Sequence, residues 1–271
     1  MDRRAMLTAA AGGSGWLAFA ASLWFGKKSG QAEDQQAPDA RARDQKAPYD
    51  VTGLNVGDEH YRSYVGWPDK YDLIGATQFI VLVGLGLRQE HYLLDIGCGS
   101  LRAGRLFIPY LLPDRYCGIE PNRWLVEDGL KWEIGAELAA LRRPRFEYNE
   151  QFDCRAFQST FDFLIAHSIF THASRSQIET CCRNVKACLA PQGVFVATYF
   201  LGESDYTGDK WAYPDAVKYR QRTLQELAQK AGLVSEPFNF FHASGQSWML
   251  FGLREEVLAA AKKRLREILS V

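Results

Sequence analysis

From residue 50 onward, short apolar runs alternate with longer stretches in which apolar residues recur every three to four positions. Runs at 91–96, 115–120, 145–149, 161–166 and 193–200 have the length of strands, and a late pair falls at 235–241 and 247–253. One-sided apolar stripes between them predict helices. Ser176-Gln177-Ile178-Glu179 has the spacing of a capping box, opening a helix with Ile178, Cys181, Cys182, Val185 and Leu189 on one face. Thr223-Leu224-Gln225-Glu226 repeats that signal, and Gly232 supplies a stop. From about Glu255 a last helix aligns Val257, Leu258, Ala261, Leu265 and Ile268, leaving Lys262, Lys263, Arg264 and Arg266 for a solvated face. Buried strands separated by helices predict an α/β domain with a parallel sheet covered on both faces, because each crossover helix must lie on one of them.

The first 48 residues follow other patterns. Ala5–Gly26 is a charge-free stretch of 22 residues between Arg3-Arg4 and Lys27-Lys28, the length of a bilayer span. Residues 1–28 therefore read as a membrane anchor or a signal. Asp2-Arg3-Arg4-Ala5-Met6-Leu7 has the form of a twin-arginine signal, with Ala18-Phe19-Ala20 as a cleavage site. Apolar Leu23-Trp24-Phe25 beyond that site favours an uncleaved anchor, and a leader that never inserts or a start assigned too early is the third reading. Flanking charge leans toward a domain on the cytoplasmic side of the membrane; export or a soluble cytoplasmic location are the alternatives. Residues 29–48 lack aromatic and branched aliphatic side chains and read as a disordered linker, leaving 49–271 as the folded domain.

Lys+Arg 32 balances Asp+Glu 32 over 271 residues, so the chain lacks the basic excess of a protein that grips phosphate backbones, and no nucleic-acid partner is expected. Cysteines at 98, 117, 154, 181, 182 and 188 show no CxxC spacing, so no metal site is expected and buried thiols are the simplest reading.

The chemistry concentrates where the first strand ends. Leu93-Leu94-Asp95-Ile96-Gly97-Cys98-Gly99 is a buried strand running into a glycine turn, the place where open parallel sheets bind ligands. Glycine admits close backbone approach and positive φ. A dinucleotide fingerprint needs a third glycine at 102, where Arg102 stands, and Asp95 would repel a pyrophosphate; a nicotinamide oxidoreductase is therefore disfavoured.

Asp95-Ile96-Gly97-Cys98-Gly99 resembles the first motif of the class I S-adenosylmethionine-dependent methyltransferases. The departure is Leu101, where the fullest form of that motif carries a further glycine. Tyr116-Cys117-Gly118-Ile119-Glu120-Pro121-Asn122 matches the next strand end, with Glu120 as the acid that holds two ribose hydroxyls in that family. A carboxylate suits a vicinal diol because it accepts both hydrogen bonds with charge assistance. Read alone, Glu120 is a surface acid with Asn122 as a helix N-cap. Gln151-Phe152-Asp153-Cys154 stands where members set an apolar side chain and an acid against adenine, and Phe161–Ser168 resembles the strand bordering the methyl-transfer pocket.

The resemblance, spanning about residues 70 to 254, implies a Rossmann-like, doubly wound, seven-stranded, mostly parallel sheet with helices on both faces. It implies S-adenosyl-L-methionine as cofactor, bound by Asp95, Gly97, Cys98, Gly99, Glu120, Pro121, Asn122, Phe152, Asp153 and His167. Methyl transfer from a sulfonium needs placement more than a base; His167 and His172 are the candidate bases, His172 reading equally as a cap or packing residue. His60, His91 and His242 read as structural. Aromatics of the 201–222 connection (Tyr206, Trp211, Tyr213, Tyr219) and of 61–79 (Trp67, Tyr71) are candidate acceptor walls. The Asn/Asp-Pro-Pro-aromatic element of methylators of nucleic-acid amines is missing from the fourth strand end, which favours a small-molecule or lipid-like acceptor. A non-catalytic cofactor-binding regulatory or scaffolding protein of the same fold is the alternative.

Overall fold

The computed structural model describes residues 49–269, so the expected anchor or signal at 1–28 and the linker at 29–48 lie outside the described residues. No described helix is long and apolar enough to cross a membrane. The domain opens with α1 (Tyr71–Leu85), β1 (Leu93–Ile96), α2 (Gly104–Tyr110) and β2 (Tyr116–Ile119). Next come α3 (Arg123–Gly129), α4 (Ala136–Arg142), β3 (Arg145–Glu147), β4 (Phe161–Ala166), α5 (Arg175–Cys188) and β5 (Leu189–Leu201). The short β6 (Lys218–Tyr219), α6 (Gln221–Lys230), β7 (Val234–Phe238), β8 (Ser247–Gly252) and α7 (Glu255–Leu269) complete it.

The main sheet runs β3-β2-β1-β4-β5-β8-β7, with β6 paired to the end of β5. β8 is antiparallel to both its neighbours, and the pairs from β3 through β5 are parallel. The expected seven-stranded, mostly parallel sheet is thus present. Adjacent strand residues point to opposite faces. Leu94 joins a core with α5 and α6, including Val185 and Leu227, while Leu93 joins one with α1, α2 and α7, including Val81, Phe107 and Leu265. With both faces covered, no polar alternation survives in β1 or β2, whose residues are all buried.

Several local expectations need correction. Ser174, not Ser176, caps α5: its extended backbone lets Oγ accept from Gln177 N while Gln177 Oε1 accepts from Ser174 N. Two overlapping Ser-x-x-acceptor spacings compete there, and the exit from β4 selects the first. Thr223 caps nothing, because α6 already starts at Gln221 and the Thr223 hydroxyl donates to Asp205 Oδ2 at 2.8 Å. Leu189 passes into β5, and Ile268 is 49% exposed because α7 has run past the sheet. Cys154 and Cys188 form a disulfide rather than two buried thiols, since the loop after β3 crosses the end of α5 with their Cα atoms 6.6 Å apart; Cys98, Cys117, Cys181 and Cys182 are buried thiols. From Tyr71 onward the supposed wall is a core helix, and Gly75 lets it touch the chain after β1, where a Cβ would lie 2.4 Å from Arg102 O.

Candidate functional site

The strand order reverses between β1 and β4, so their following segments leave on opposite sides and open a crevice at the carboxyl ends. At this point β1 turns through Gly97 (φ +69°) and Gly99 (φ +54°), values that cost glycine nothing. Gly97 N and Cys98 N both donate to Ile119 O, at 2.7 and 3.1 Å, which ties the turn to β2. A Cβ on Gly97 would lie 2.1 Å from Ile169 Cδ1, and one on Gly99 2.8 Å from Val65 Cγ1. A Cβ at either position would have to displace those side chains and would sit on a backbone at positive φ. Leu101 adopts φ +61° while fully buried, so the missing further glycine falls on a left-handed residue whose strain, about 1–2 kcal/mol, is offset by packing.

β2 delivers Glu120. Its Oε2 accepts from Gly99 N at 3.1 Å, and its Oε1 accepts from Asn122 N and Nδ2, each at 2.9 Å. A carboxylate offers about four acceptor positions, so roughly one on Oε2 stays open to a ligand. Asn122 therefore orients Glu120, and its side chain makes no capping bond to α3. Burial raises the Glu120 pKa against the pull of these N–H donors. Asp95 is buried at the end of β1, accepts from Tyr116 OH at 2.8 Å, and is pushed up to about 7 by burial. Pro121 is exposed beside Asn122. Phe152 is buried with φ +56°, and Asp153 is held down to about 2 by the Arg155 side chain, whose Nε and Nη2 donate at 2.8 Å each.

β4 delivers His167, which is buried and stacked 5.0 Å from His242. Its Nε2 meets His242 Nε2 at 2.8 Å; its Nδ1 meets Ser168 Oγ at 3.1 Å and Arg102 Nη2 at 3.2 Å. His172 stands apart from that pair. Its Nδ1–H donates to Asp215 O at 2.8 Å and its ring packs on Trp211 and Tyr213, so it pins the 201–222 connection. Burial lowers the pKa of both histidines. The two expected walls meet over the turn: Tyr213 OH donates to Tyr64 O, and the Tyr64 ring packs 5.2 Å from Trp124.

Sequence reasoning missed Arg102 as a participant, read His242 as structural, and passed over Gln246 and Trp248. Gln246 Nε2 donates to Ser168 Oγ at 2.8 Å, and Trp248 lies 5.9 Å from His167 and 5.4 Å from His242. Both also line a cavity of about 440 Å³ at the end of β5, with Tyr199, Leu201, Phe238 and Phe240. None of its described lining residues carries a charge, and the Trp248 Nε1–H has no hydrogen-bond partner among the described residues. The signal for this wall was the aromatic content of 238–248, between and within the runs read as a late pair of strands at 235–241 and 247–253.

The family described as a methyltransferase domain matches residues 94–195. Among solved structures, the chain is similar to the glycopeptide N-methyltransferase MtfA complexed with S-adenosyl-L-methionine, at 9% identity and TM-score 0.53, covering 66% of this chain and 94% of that one. It is also similar to DesVI of Streptomyces venezuelae, at 14% identity and TM-score 0.51, covering 70% and 95%. A third is an S-adenosylmethionine-dependent methyltransferase from Clostridium acetobutylicum, at 12% identity and TM-score 0.50, covering 68% and 92%. At these identities the structural likeness concerns the fold.

Proposed function

We propose that this chain, whose residues 94–195 match a methyltransferase domain, is a class I S-adenosylmethionine-dependent methyltransferase and methylates a small, uncharged aromatic acceptor held in the cavity beside Trp248. The observation that carries this reading is the cavity's aromatic, charge-free lining, joined through Gln246 and Ser168 to His167 at the end of β4. The residues suit the cofactor. Gly97, Cys98 and Gly99 form the turn at the crevice, where the glycines keep the backbone free of side chains, and Glu120 keeps an open acceptor position for a ribose hydroxyl. Asp95 supplies a buried acid near a cationic group, Pro121 and Asn122 frame the ribose, and Phe152 and Asp153 face the base.

When bound, the cofactor supplies a methyl group already activated on sulfur, so the chain's task is orientation and exclusion of water. His167 acts as a positioning residue, because both its ring nitrogens are engaged with protein groups. For His172, a proton held on Nδ1 leaves Nε2 as the atom able to take one from an acceptor.

Full-length protein incubated with cofactor labelled in the methyl group is expected to label neutral phenols or aromatic amines in preference to charged aliphatic acids. Phe240→Ala should raise the acceptor KM about 10-fold while leaving affinity for S-adenosylhomocysteine unchanged. Labelling confined to charged aliphatic compounds would overturn the aromatic reading. Attachment to the cytoplasmic face of a membrane through residues 5–26 belongs to the same proposal. It predicts that the full chain stays with membranes after an alkaline carbonate wash and that a chain lacking residues 1–28 does not.

A further inference from the structure

Arg102 is 7% exposed and pairs with no carboxylate among the described residues. Its Nη1 donates to Val65 O at 2.9 Å, its Nη2 lies 3.2 Å from His167 Nδ1, and its Nε has no partner. Whether Nη2 is satisfied depends on where the two histidines carry their protons. Ser244 N–H donates to His242 Nδ1 at 3.1 Å, so a neutral His242 must hold its proton on Nε2. That proton is donated across 2.8 Å to His167 Nε2. A neutral His167 then carries its own proton on Nδ1, where Ser168 Oγ at 3.1 Å accepts it. Burial keeps both rings neutral, with His242 lowered to about 3, while Arg102 at about 10 stays charged. Arg102 Nη2 therefore faces another donor, and the whole Nε–Nη2 edge of a buried cation lacks an acceptor.

An edge of this kind takes a planar carboxylate side-on, through two parallel hydrogen bonds. The same protein shows the geometry twice: Arg155 grips Asp153, and Arg143 grips Asp114, with Nε on one carboxylate oxygen and Nη2 on the other. Arg102 follows the glycine turn at the crevice, close enough to Asp95 for their charges to interact, yet no hydrogen bond joins them. A buried acid and a buried guanidinium held apart at one site complement a group bearing both an ammonium and a carboxylate.

We propose that the Nε–Nη2 edge of Arg102 binds the α-carboxylate of the methionine moiety of the cofactor, with Val65 O holding the guanidinium through Nη1. This assignment rests on the cofactor reading above. It makes Arg102 the residue that distinguishes a complete methionine end from a truncated one.

The test is calorimetric titration of the full chain with S-adenosylhomocysteine and with S-adenosyl-3-thiopropylamine, which lacks only the carboxylate, repeated on Arg102→Gln and Arg102→Lys. The unmodified chain should prefer the carboxylate-bearing ligand by about 10- to 100-fold, as expected for charge-assisted hydrogen bonds. Arg102→Gln should bind both alike while keeping the affinity for the truncated ligand, which also shows that it folds. Arg102→Lys, which keeps the charge but not the fork, should show a smaller preference than the unmodified chain and provides the same reading if the Gln variant does not fold. A full preference retained in a folded variant, or no preference in the unmodified chain, would overturn the assignment. Failure of the unmodified chain to bind either ligand would remove the cofactor reading itself, and the assignment with it.

Discussion

Replacing Glu120 with Gln lowers the affinity for S-adenosylhomocysteine about 100-fold, or about 2.7 kcal/mol, in a calorimetric titration at neutral pH. The carboxylate now satisfies Gly99 N on one oxygen and two Asn122 donors on the other. An amide has only one oxygen, so in the variant either the Gly99 N–H or the Asn122 donors face an NH₂ group. The turn that Glu120 holds is the proposed cofactor cradle, and the open acceptor position on Oε2 loses its charge. Affinity should fall much further than stability, because β2 and its pairing with β1 remain intact. An affinity within threefold of the parent would show that Glu120 does not contact the ligand.

Asp95→Asn is expected to move stability and binding in opposite directions. Burial raises Asp95 from 3.8 in the free state to about 7 in the fold. Between those values the folded chain holds a proton that the unfolded chain has lost, so stability is fully present below about pH 4 and falls as the pH rises to about 7. Above that, the buried charge costs on the order of 2–4 kcal/mol. Asn cannot ionise and its amide oxygen can still accept from Tyr116 OH. At pH 8 without ligand the variant should melt about 5–10 °C above the parent, a difference that shrinks as the pH is lowered toward 4. With S-adenosylmethionine the order reverses, because a cationic ligand favours the ionised acid and binding releases the proton near neutral pH. Calorimetric melting at pH 5 and pH 8, with and without ligand, checks both signs; a variant no more stable than the parent at pH 8 would show that Asp95 ionises freely in the fold.

The sheet was legible because its signal is local and repeated. β4 matches the expected 161–166 run to the residue, and β1 and β2 fall within one or two residues of theirs. Caps were less legible: Ser174 and Ser176 each begin an acceptable spacing, and Thr223 lost its role to Asp205, which lies 18 residues away. The motif at 95–99 and Glu120 were readable because the parallel register of β1 and β2 places a fixed offset of residues at one crevice. That offset says nothing about partners from distant loops. Asn122 seemed a cap until its amide was found on Glu120, and the Cys154–Cys188 bridge depends on a loop crossing a helix end.

The sequence by itself determined the α/β class, the parallel strands, the glycine turn and the acid that serves it, because each depends on residue spacing within one or two adjacent elements. Only the tertiary structure decided that Arg102 is buried with no carboxylate hydrogen-bonded to it among the described residues, that His167 and His242 share a proton contact 75 residues apart, and that Trp248 and Gln246 turn an aromatic stretch into a cavity wall. The physical reason is that the demand for an acceptor or donor is a property of a buried atom and its neighbours. Burial at this site is assembled from β1, β4, β8 and the segment before α1, whose meeting no local pattern encodes.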